Sequence, residues 1–331
     1  MTLPDSVTSI VAWAFNSCYA LKNVTLGQGL NSIGEYAFYS CNNLNSLTIL
    51  GNVTNWGNNV FSECTTLARL TLTNGITRIM DGAFQGCISL TNFTIPNSVT
   101  NIGAYAFADT HLTSFNVPSS VGNNIGEGAY SGTALTSVVI PRSTTQISSN
   151  LFGECTSLTN VLLNDAVTTI GFGAFGDCPF LAEITIPASV TNISDYAFDI
   201  TALKGGVYFE GNAPAVGPNT FGWYPGYPAY WPTIYYLPGT TGWSATFGGR
   251  PAILWNPQVQ IWDGFFGVRT NCFGFNITGS SNVVCVVQAC TNLSNPVWEA
   301  LGTYTLSGSP VYFTDPQYTN SPKRFYRFCS P

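Results

Sequence analysis

Nine aromatic residues lie within the 23 residues from Phe221 to Trp243, and they are the side chains best suited to hold a ligand. Prolines stiffen this segment, and rigid Tyr and Trp side chains offer large contact areas at a low entropic cost. Such residues are common at binding hot spots, and their flat rings also stack on sugars. The alternative interpretation is a hydrophobic lid over the end of the preceding fold, and one segment can serve both purposes. The predicted ligand-binding residues are Trp223, Tyr224, Tyr227, Tyr230 and Trp231.

Acidic residues recur two positions after a repeated aromatic residue, where they could line a cation-binding edge. They are Glu63, Asp109, Glu154 and Asp177. The simpler interpretation is that isolated acids keep a surface hydrated. Glycoside hydrolysis would need two carboxylates about 5 to 9 Å apart across a sugar. No motif in the sequence indicates such a pair.

Six of the ten cysteines also follow the repeat, and four of them occupy one position in consecutive repeats: Cys18, Cys41, Cys64 and Cys87. Stacked repeats would bring their Cα atoms to about 5 Å, but their side chains would point the same way. A column is also not the tetrahedron that zinc requires. We therefore predict buried thiols there. One or two disulfides remain open for the last four cysteines, which are Cys272, Cys285, Cys290 and Cys329.

Two further motifs do not form a catalytic or cofactor-binding site. His111 is the only histidine, and no nucleophile is gathered beside it, as a catalytic base would need. The glycines of Gly171–Gly176 match a dinucleotide-binding string, but they lack the strand, helix and acidic residue that such a site requires. The sequence therefore predicts no catalytic residue, no cofactor and no metal.

The amino-acid composition limits the classes of partner that this protein can have. Charged residues make up 8% of the 331 residues, with 10 basic against 16 acidic side chains, which argues against nucleic acid. A hydrophobic share of 45% excludes a disordered chain, and no apolar stretch is long enough to span a membrane. Surfaces rich in Thr and Asn with little charge favour a secreted or cell-surface protein. Since Met1 begins in the middle of a repeat, without a signal peptide, we expect the natural N-terminus to lie upstream.

One aromatic residue recurs every 22 or 23 residues over two thirds of the chain. The series is Phe15, Phe38, Phe61, Phe84, Phe107, Tyr130, Phe152, Phe175, Phe198 and Phe221. Isoleucine usually stands five residues before it, alanine directly before it, and cysteine or threonine three residues after it. A strict period of this length is the signature of a repeat fold.

Each repeat also contains an alternating tract of the form L-x-x-V-x-I, as at Leu44–Ile49, Leu90–Ile95 and Leu181–Ile186. Alternation of this kind predicts a short strand, and the segment around the recurring aromatic residue predicts a tight turn or a 3₁₀ half-turn. One such coil cannot bury its apolar face alone. Stacked coils can, so we predict a solenoid of about ten coils with short parallel strands over residues 1–220.

The pattern resembles the BspA-type leucine-rich repeat, as in the segments LTNFTIPNSVTNIGAYAF and LAEITIPASVTNISDYAF. Members of that family are mostly surface or secreted proteins, and the functions attributed to them are adhesion and protein binding. The resemblance implies the same role here.

Beyond the repeats, residues 221–258 predict an aromatic loop followed by a cap with turns at Pro-Gly and Gly-Gly. Residues 259–331 predict five to seven short strands in a small all-β module, with a β-sandwich expected. This module resembles the C-terminal module of predicted secreted bacterial repeat proteins.

The sequence therefore predicts a non-enzymatic binding or adhesion protein that recognises an extracellular protein or glycan, and leaves its oligomeric state open. Its solenoid face and the aromatic loop would carry the binding. Two alternatives remain: a polysaccharide-active enzyme or its carbohydrate-binding accessory, and a structural spacer that displays the C-terminal module. A broad surface with few charges also predicts binding that depends little on salt.

Overall fold

A computed structural model describes residues 1–222, 231–269, 272–307, 309–320 and 323–329. The chain divides into two compact units. The solenoid unit is Met1–Lys204 with Pro214–Pro232, and the C-terminal unit is Gly205–Ala213 with Thr233–Pro331. The finer division at residues 220 and 258 stays a prediction.

Two ladders of parallel strands run along the solenoid unit. The two-residue strands are β1 (Ser9–Ile10), β3 (Ser32–Ile33), β5 (Asn55–Trp56), β7 (Arg78–Ile79), β8 (Asn101–Ile102), β10 (Gln146–Ile147), β12 (Thr169–Ile170), β14 (Asn192–Ile193) and β16 (Ala215–Val216). The longer strands are β2 (Asn23–Thr25), β4 (Ser46–Ile49), β6 (Arg69–Leu72), β9 (Ser137–Val139), β11 (Asn160–Leu162) and β13 (Glu183–Ile186). Equivalent residues pair in successive coils, as Leu47 does with Leu70. The predicted repeat solenoid is confirmed.

The longer ladder is interrupted in two coils. The sequence predicts a strand in the tract Leu90–Ile95, and this prediction is wrong, because the structure has no strand there. The tract of the next coil, around Phe115, also lacks one. These two coils carry Phe where the others have an aliphatic residue, and the ring of Phe93 packs on that of Phe107 at 4.9 Å between centroids. The larger ring needs more room than Val or Leu and prevents the close approach that pairing requires.

The recurring aromatic residues form one continuous column in the core. Consecutive rings are separated by 5.0 Å at the Phe15–Phe38 pair and by 6.3 Å at the Tyr130–Phe152 pair, the two extremes. The rings of Phe61 and Phe84 lie 5° from parallel, the smallest angle in the column, whereas the two pairs that contain Tyr130 are tilted by 31° and 32°. The period of 23 residues therefore has a direct physical cause: each coil contributes one ring to the stack, whose burial stabilises the neighbouring coils.

The segment around each ring is a turn with an unusual backbone. We count positions from the recurring aromatic residue, so position −2 lies two residues before it. In nine coils both position −2 and position +2 have a positive φ, as at Tyr36 and Ser40. The residues at positions −2, 0 and +2 donate their N–H groups to carbonyls of the next coil, as Phe38 does to Val60. This third ladder satisfies the backbone of a segment that forms no strand.

Cysteine and threonine exchange at position +3 because both can hydrogen-bond the carbonyl of a recurring aromatic residue. The Cys64 thiol donates to the Phe38 carbonyl of the preceding coil at 3.2 Å. The Thr110 hydroxyl donates to the Phe107 carbonyl of its own coil at 2.8 Å. The six repeat cysteines are free thiols, and all but Cys18 are buried. The prediction of a buried thiol column is confirmed for those five.

The C-terminal unit consists of β-strands. They are β15 (Gly206–Phe209), β17 (Ile234–Tyr236), β18 (Thr246–Phe247), β19 (Arg250–Leu254), β20 (Gln258–Gln260), β21 (Gly267–Arg269), β22 (Cys272–Thr278), β23 (Val284–Cys290), β24 (Glu299–Thr305), β25 (Val311–Asp315) and β26 (Phe325–Cys329). A 3₁₀ turn spans Tyr318–Asn320. β15, β17 and β19 pair in parallel.

The strands from β20 onward form two antiparallel sheets. In one, β22 pairs with β20, β21 and β25, and in the other, β23 lies between β24 and β26. Side chains from both sheets share one core, which contains Phe275 and Phe313 from the first and Val287 from the second. This is the arrangement of a β-sandwich, and the predicted all-β module is confirmed.

A buried ion pair lies beside this core. The Arg324 guanidinium contacts the Asp315 carboxylate at 2.8 Å, and both side chains are almost fully buried. Asp315 also accepts hydrogen bonds from the Tyr326 hydroxyl and the Gln317 amide, both at 2.9 Å. The carboxylate is thus compensated on both oxygens, as a buried charge must be.

Within the described ranges, no helix has the length and hydrophobicity needed to cross a membrane.

Candidate functional site

Four of the five aromatic residues predicted to bind a ligand lie outside the described residues. These are Trp223, Tyr224, Tyr227 and Tyr230. Trp231 is described, and 47% of its surface is exposed. The ligand-binding hypothesis for this segment therefore stays a prediction.

Other sequence motifs fall on the turn segments. The acids Glu63, Asp109, Glu154 and Asp177 all occupy position +2, with positive φ. Nowhere in the described parts of the chain do three His, Cys, Asp or Glu side chains meet in a group that could hold a metal ion. His111 is exposed, and the glycine string Gly171–Gly176 lies in an ordinary turn of the repeat.

The turn segments present a surface that we call the turn face, formed by positions −3, −2, +1 and +2 of each coil. Position −2 is the most informative of these four positions. In the nine coils where its backbone is left-handed, it holds Gly or Asn in five and an aromatic residue in four: Trp13, Tyr36, Tyr105 and Tyr196, with φ between 53° and 62°. A left-handed backbone costs an L-residue about 1–2 kcal/mol, and the cost is least for Gly and Asn. Bulky rings therefore stand where the fold itself favours small residues.

Strain of this kind collects at functional sites, where the surrounding structure maintains it. The rings are also accessible. Trp13 is 52% exposed and Tyr105 is 40% exposed, while Tyr36 and Tyr196 are half-buried. Position −2 thus directs aromatic surface towards solvent at the expense of backbone stability.

Two of these rings form a cluster at the first coils. Trp13 stacks on Tyr36 with 4.3 Å between centroids and 15° between planes. Tyr39, at position +1, meets both rings edge-on, at 6.5 Å from Trp13 and 5.6 Å from Tyr36. The cluster offers a rigid aromatic platform.

The other two rings flank a pocket of about 360 Å³ on the turn face. Tyr105 lies at one end, and Phe172 and Tyr196 lie at the other, with 5.3 Å between the centroids of those two rings. Tyr105 and Tyr196 are four coils apart, which corresponds to about 19 Å at the spacing of paired strands. Glycines form the floor between them, at Gly153, Gly173 and Gly176.

A hydrogen-bonded line fixes the first wall. The Tyr105 hydroxyl donates to the Glu127 carboxylate at 3.0 Å, and Asn150 donates to the same oxygen at 3.1 Å. Burial, and then the bond to Glu127, raise the pKa of Tyr105. The ring lies over Gly128, where a Cβ atom would come within 2.4 Å of it. Glycine at position 128 therefore leaves room for the tyrosine of the preceding coil.

The rest of the lining is rich in hydrogen-bond acceptors. Glu154, Asp177 and Asp199 contribute carboxylates, and no lysine or arginine stands among the described residues of the lining. One carboxylate oxygen of Asp199 is buried and has no hydrogen-bond partner among the described residues. Burial raises the pKa of this carboxyl group. A hydrogen bond from the Ile200 backbone N–H acts against this effect, and the charge of Asp177 adds to it.

Sequence reasoning found two pocket residues, Glu154 and Asp177, through their recurrence at position +2. It missed the aromatic residues of position −2 because they alternate with Gly and Asn, and because the strained backbone that makes them informative is not visible in a sequence. An unusual mixture of Gly, Asn, Tyr and Trp at one repeat position is the signal that could have found them.

These features define a class: a parallel repeat solenoid with one face rich in aromatic and acidic residues. The model of the BspA-type leucine-rich repeat region matches residues 1–113 and 77–204, in six copies. The matched residues exceed half of the chain, and the chain belongs to the BspA-type leucine-rich repeat family.

Several solved structures are similar to this chain. A leucine-rich repeat protein from Bacteroides ovatus is 25% identical, with 72% of each chain covered and a TM-score of 0.46. A leucine-rich cell surface protein from Faecalibacterium prausnitzii is 23% identical, over 67% of this chain and 75% of its own, with a TM-score of 0.41. The pneumococcal vaccine antigen PcpA is 16% identical, over 72% and 74%, with a TM-score of 0.46. No curated protein matches this chain.

Proposed function

We propose that this protein is a non-enzymatic, secreted or surface-exposed binding protein that engages an extracellular protein or glycan through the turn face of its solenoid. Membership of the BspA-type family supports a binding or adhesion role. The observation that carries the proposal is the placement of Trp13, Tyr36, Tyr105 and Tyr196 at a left-handed backbone position.

Aromatic residues at position −2 lower the stability of the fold and increase the surface available to a ligand. In the five other coils with a left-handed backbone at position −2, the residue there is Gly82, Gly128, Gly173, Asn59 or Asn150, so the fold accepts small residues there. Aromatic side chains at the same position add backbone strain and leave apolar surface in water. The cost of exposed apolar surface is recovered when a ligand covers the rings, because Tyr and Trp bury a large area with few rotatable bonds. The backbone strain persists in the complex and holds the rings in place for binding.

The test replaces all four aromatic residues by asparagine, which already stands at this position with a left-handed backbone in two coils, at Asn59 and Asn150. We expect the variant to fold with a free energy of unfolding within about 1 kcal/mol of the natural chain, since each change also relieves strain. We expect it to lose binding in a screen against immobilised glycans and extracellular matrix proteins. Circular dichroism confirms that both proteins are folded.

A matched control is Phe180→Asn. Phe180 is 63% exposed and lies five residues after the recurring Phe175, away from position −2. This variant should bind like the natural chain. Ligand binding that survives the fourfold asparagine variant would contradict the turn face as the binding surface.

The aromatic segment predicted from the sequence has its own arm in the screen, Trp223→Ala with Trp231→Ala. A ligand lost only in this variant would move the site from the turn face to that segment. A chain that binds nothing in the panel would favour a spacer that displays the C-terminal unit.

A further inference from the structure

We propose that the pocket between Tyr105 and Tyr196 binds an uncharged saccharide of one or two pyranose rings. This inference rests on the proposed binding function and names the ligand class for one part of the turn face. It is carried by the floor, the walls and the acceptors of the pocket.

The pocket has the dimensions of a small-ligand site. Its volume of about 360 Å³ lies at the lower end of the range for such sites, roughly 300–1,000 Å³. It belongs entirely to the solenoid unit and is built from equivalent positions of neighbouring coils. Its length therefore follows the repeat axis, as a short oligosaccharide would.

Two glycines leave the floor of the pocket open, and backbone geometry does not require glycine at either position. Position +1 holds Ser131 at one end of the pocket and Asp199 at the other, with Gly153 and Gly176 between them. Neither of these two glycines has a positive φ, and a Cβ atom at either would meet its nearest neighbour at an ordinary 3.4 Å. The fold would accept alanine there. Two glycines that the backbone does not require keep the floor of the pocket clear.

The walls provide aromatic surface at both ends. Pyranose rings carry apolar C–H groups on their faces, and these groups pack on the faces of Tyr and Phe. Phe172 is 48% exposed and Tyr105 is 40% exposed, so both have apolar area available for such contact. The hydrogen bond from Tyr105 to Glu127 holds its ring in place before a ligand arrives.

The polar lining matches a ligand with several hydroxyl groups. Carboxylates accept hydrogen bonds, and Glu154, Asp177 and Asp199 stand on three successive coils. At about 4.8 Å per coil they are spread over roughly 10 Å. A sugar distributes its donors around a ring, and it can satisfy acceptors that are spread in this way.

Other ligands fit less well. Uronic and sialic acids are repelled by three carboxylates without a basic residue in the lining. The side chain of lysine or arginine in a basic peptide concentrates its donors at one end of a thin chain. It would leave the distant carboxylates unpaired and the aromatic wall uncovered.

The experiment measures binding by isothermal titration calorimetry with the full chain. The probes are neutral oligosaccharides of glucose, mannose, galactose, xylose and N-acetylglucosamine, with oligogalacturonate and oligolysine as charged probes. We expect at least one neutral probe to bind, with a Kd that changes less than twofold between 0.05 and 0.5 M NaCl, and neither charged probe to bind more tightly.

Two variants locate the site. Gly176→Ala adds one methyl group to the floor, and Asp177→Ala removes one acceptor. Each should weaken binding of the neutral probe at least tenfold. Asp109→Ala is the matched control because Asp109 occupies the same position +2 but does not line the pocket. The control should bind like the natural chain. Gly176→Ala should also keep or raise the thermal stability, which separates a blocked floor from a damaged fold.

Different outcomes would contradict the saccharide assignment and the proposed binding function. Absence of binding by every neutral probe, or salt-sensitive binding of oligolysine instead, would overturn the saccharide assignment. A ligand that is lost in the fourfold asparagine variant but retained by Gly176→Ala and Asp177→Ala would overturn the pocket and leave the proposed binding function standing.

Discussion

Tyr130 is the one member of the ring column that carries a hydroxyl group, and this group has no partner among the described residues. The side chain is only 1% exposed, and burial raises the pKa of the phenol well above its ordinary value. A buried hydroxyl without a hydrogen bond costs about 1–3 kcal/mol. Phenylalanine occupies the same position in every other coil of the column.

We therefore expect Tyr130→Phe to raise the free energy of unfolding by about 1–3 kcal/mol. Urea unfolding followed by circular dichroism measures the change. Phe107→Tyr, which introduces a hydroxyl group at the same position of the preceding coil, is the matched control and should lower stability. A loss of stability in Tyr130→Phe would show that the hydroxyl group has a partner, such as a buried water.

The thiol column leads to a second prediction at the residue scale. Burial raises the pKa of Cys155 to about 11 and raises that of Cys87 further. At pH 8 these thiols are protonated and shielded, so iodoacetamide should modify them only after unfolding in guanidinium chloride. Mass spectrometry of the alkylated peptides provides the measurement. Equal modification of Cys87 in the native and the denatured chain would contradict it.

The same shift predicts how stability varies with pH. The folded-state pKa of Cys155 lies above the value of about 8.5 for an unfolded thiol. Its contribution is therefore complete below pH 8.5 and is lost as the pH rises towards 11, because only the unfolded chain then releases the proton.

Residue identities at repeat positions could be predicted from the sequence, but their backbone could not. The exchange of Cys and Thr at position +3 was visible in the sequence, and in the structure both side chains hydrogen-bond a carbonyl of the ring column. The sequence gives no indication that Tyr105 and Trp13 have a positive φ, because tyrosine and tryptophan rarely adopt that backbone conformation. The stacked coils impose that conformation through the N–H ladder, so it depends on neighbours that are 22 or 23 residues away.

At the scale of elements, the period predicted the solenoid and the alternating tracts predicted most of its longer strands. Periodicity was a poorer guide in the coils with Phe93 and Phe115. The pattern treats every apolar residue alike, whereas a parallel ladder distinguishes a phenylalanine ring from an isoleucine. The ring of Phe115 contacts both Tyr130 and Phe152, at 5.0 and 5.1 Å between centroids, and thus fills space between two coils.

The candidate site, like the strands, was predictable from the sequence only in part. Two of its three acids, Glu154 and Asp177, were visible as a recurring acidic position, while the pocket depends on the absence of side chains at Gly153 and Gly176. Glycine in a turn is usually explained by backbone freedom, and only the observed φ values separate Gly173, which needs that freedom, from these two.

For the molecule as a whole, stability depends on stacking rather than on charge. Only 8% of its residues are charged. Among the described residues, the ion pairs are one between Arg142 and Asp165, which is exposed, and those of Arg324 with Asp315 and Glu299. An exposed pair contributes about 0–1 kcal/mol, and a buried pair is little affected by dissolved ions. The core column and the backbone ladders contain no charges to be screened.

We therefore expect the free energy of unfolding to change by less than about 1 kcal/mol between 0.05 and 0.5 M sodium chloride. Chemical unfolding in urea measures this without adding ions, and Arg142→Ala serves as a control that removes the exposed pair. The expectation reflects how this repeat is built. In the described coils the contacts between neighbours are made by stacked rings, by N–H groups of the turn backbone and by buried thiols, and none of these groups is ionised at neutral pH. A steep dependence on salt would mean that the carboxylates along the turn face repel one another strongly enough to strain the stack. The acids at position +2 would then limit stability, and Asp177→Asn should remove part of the dependence.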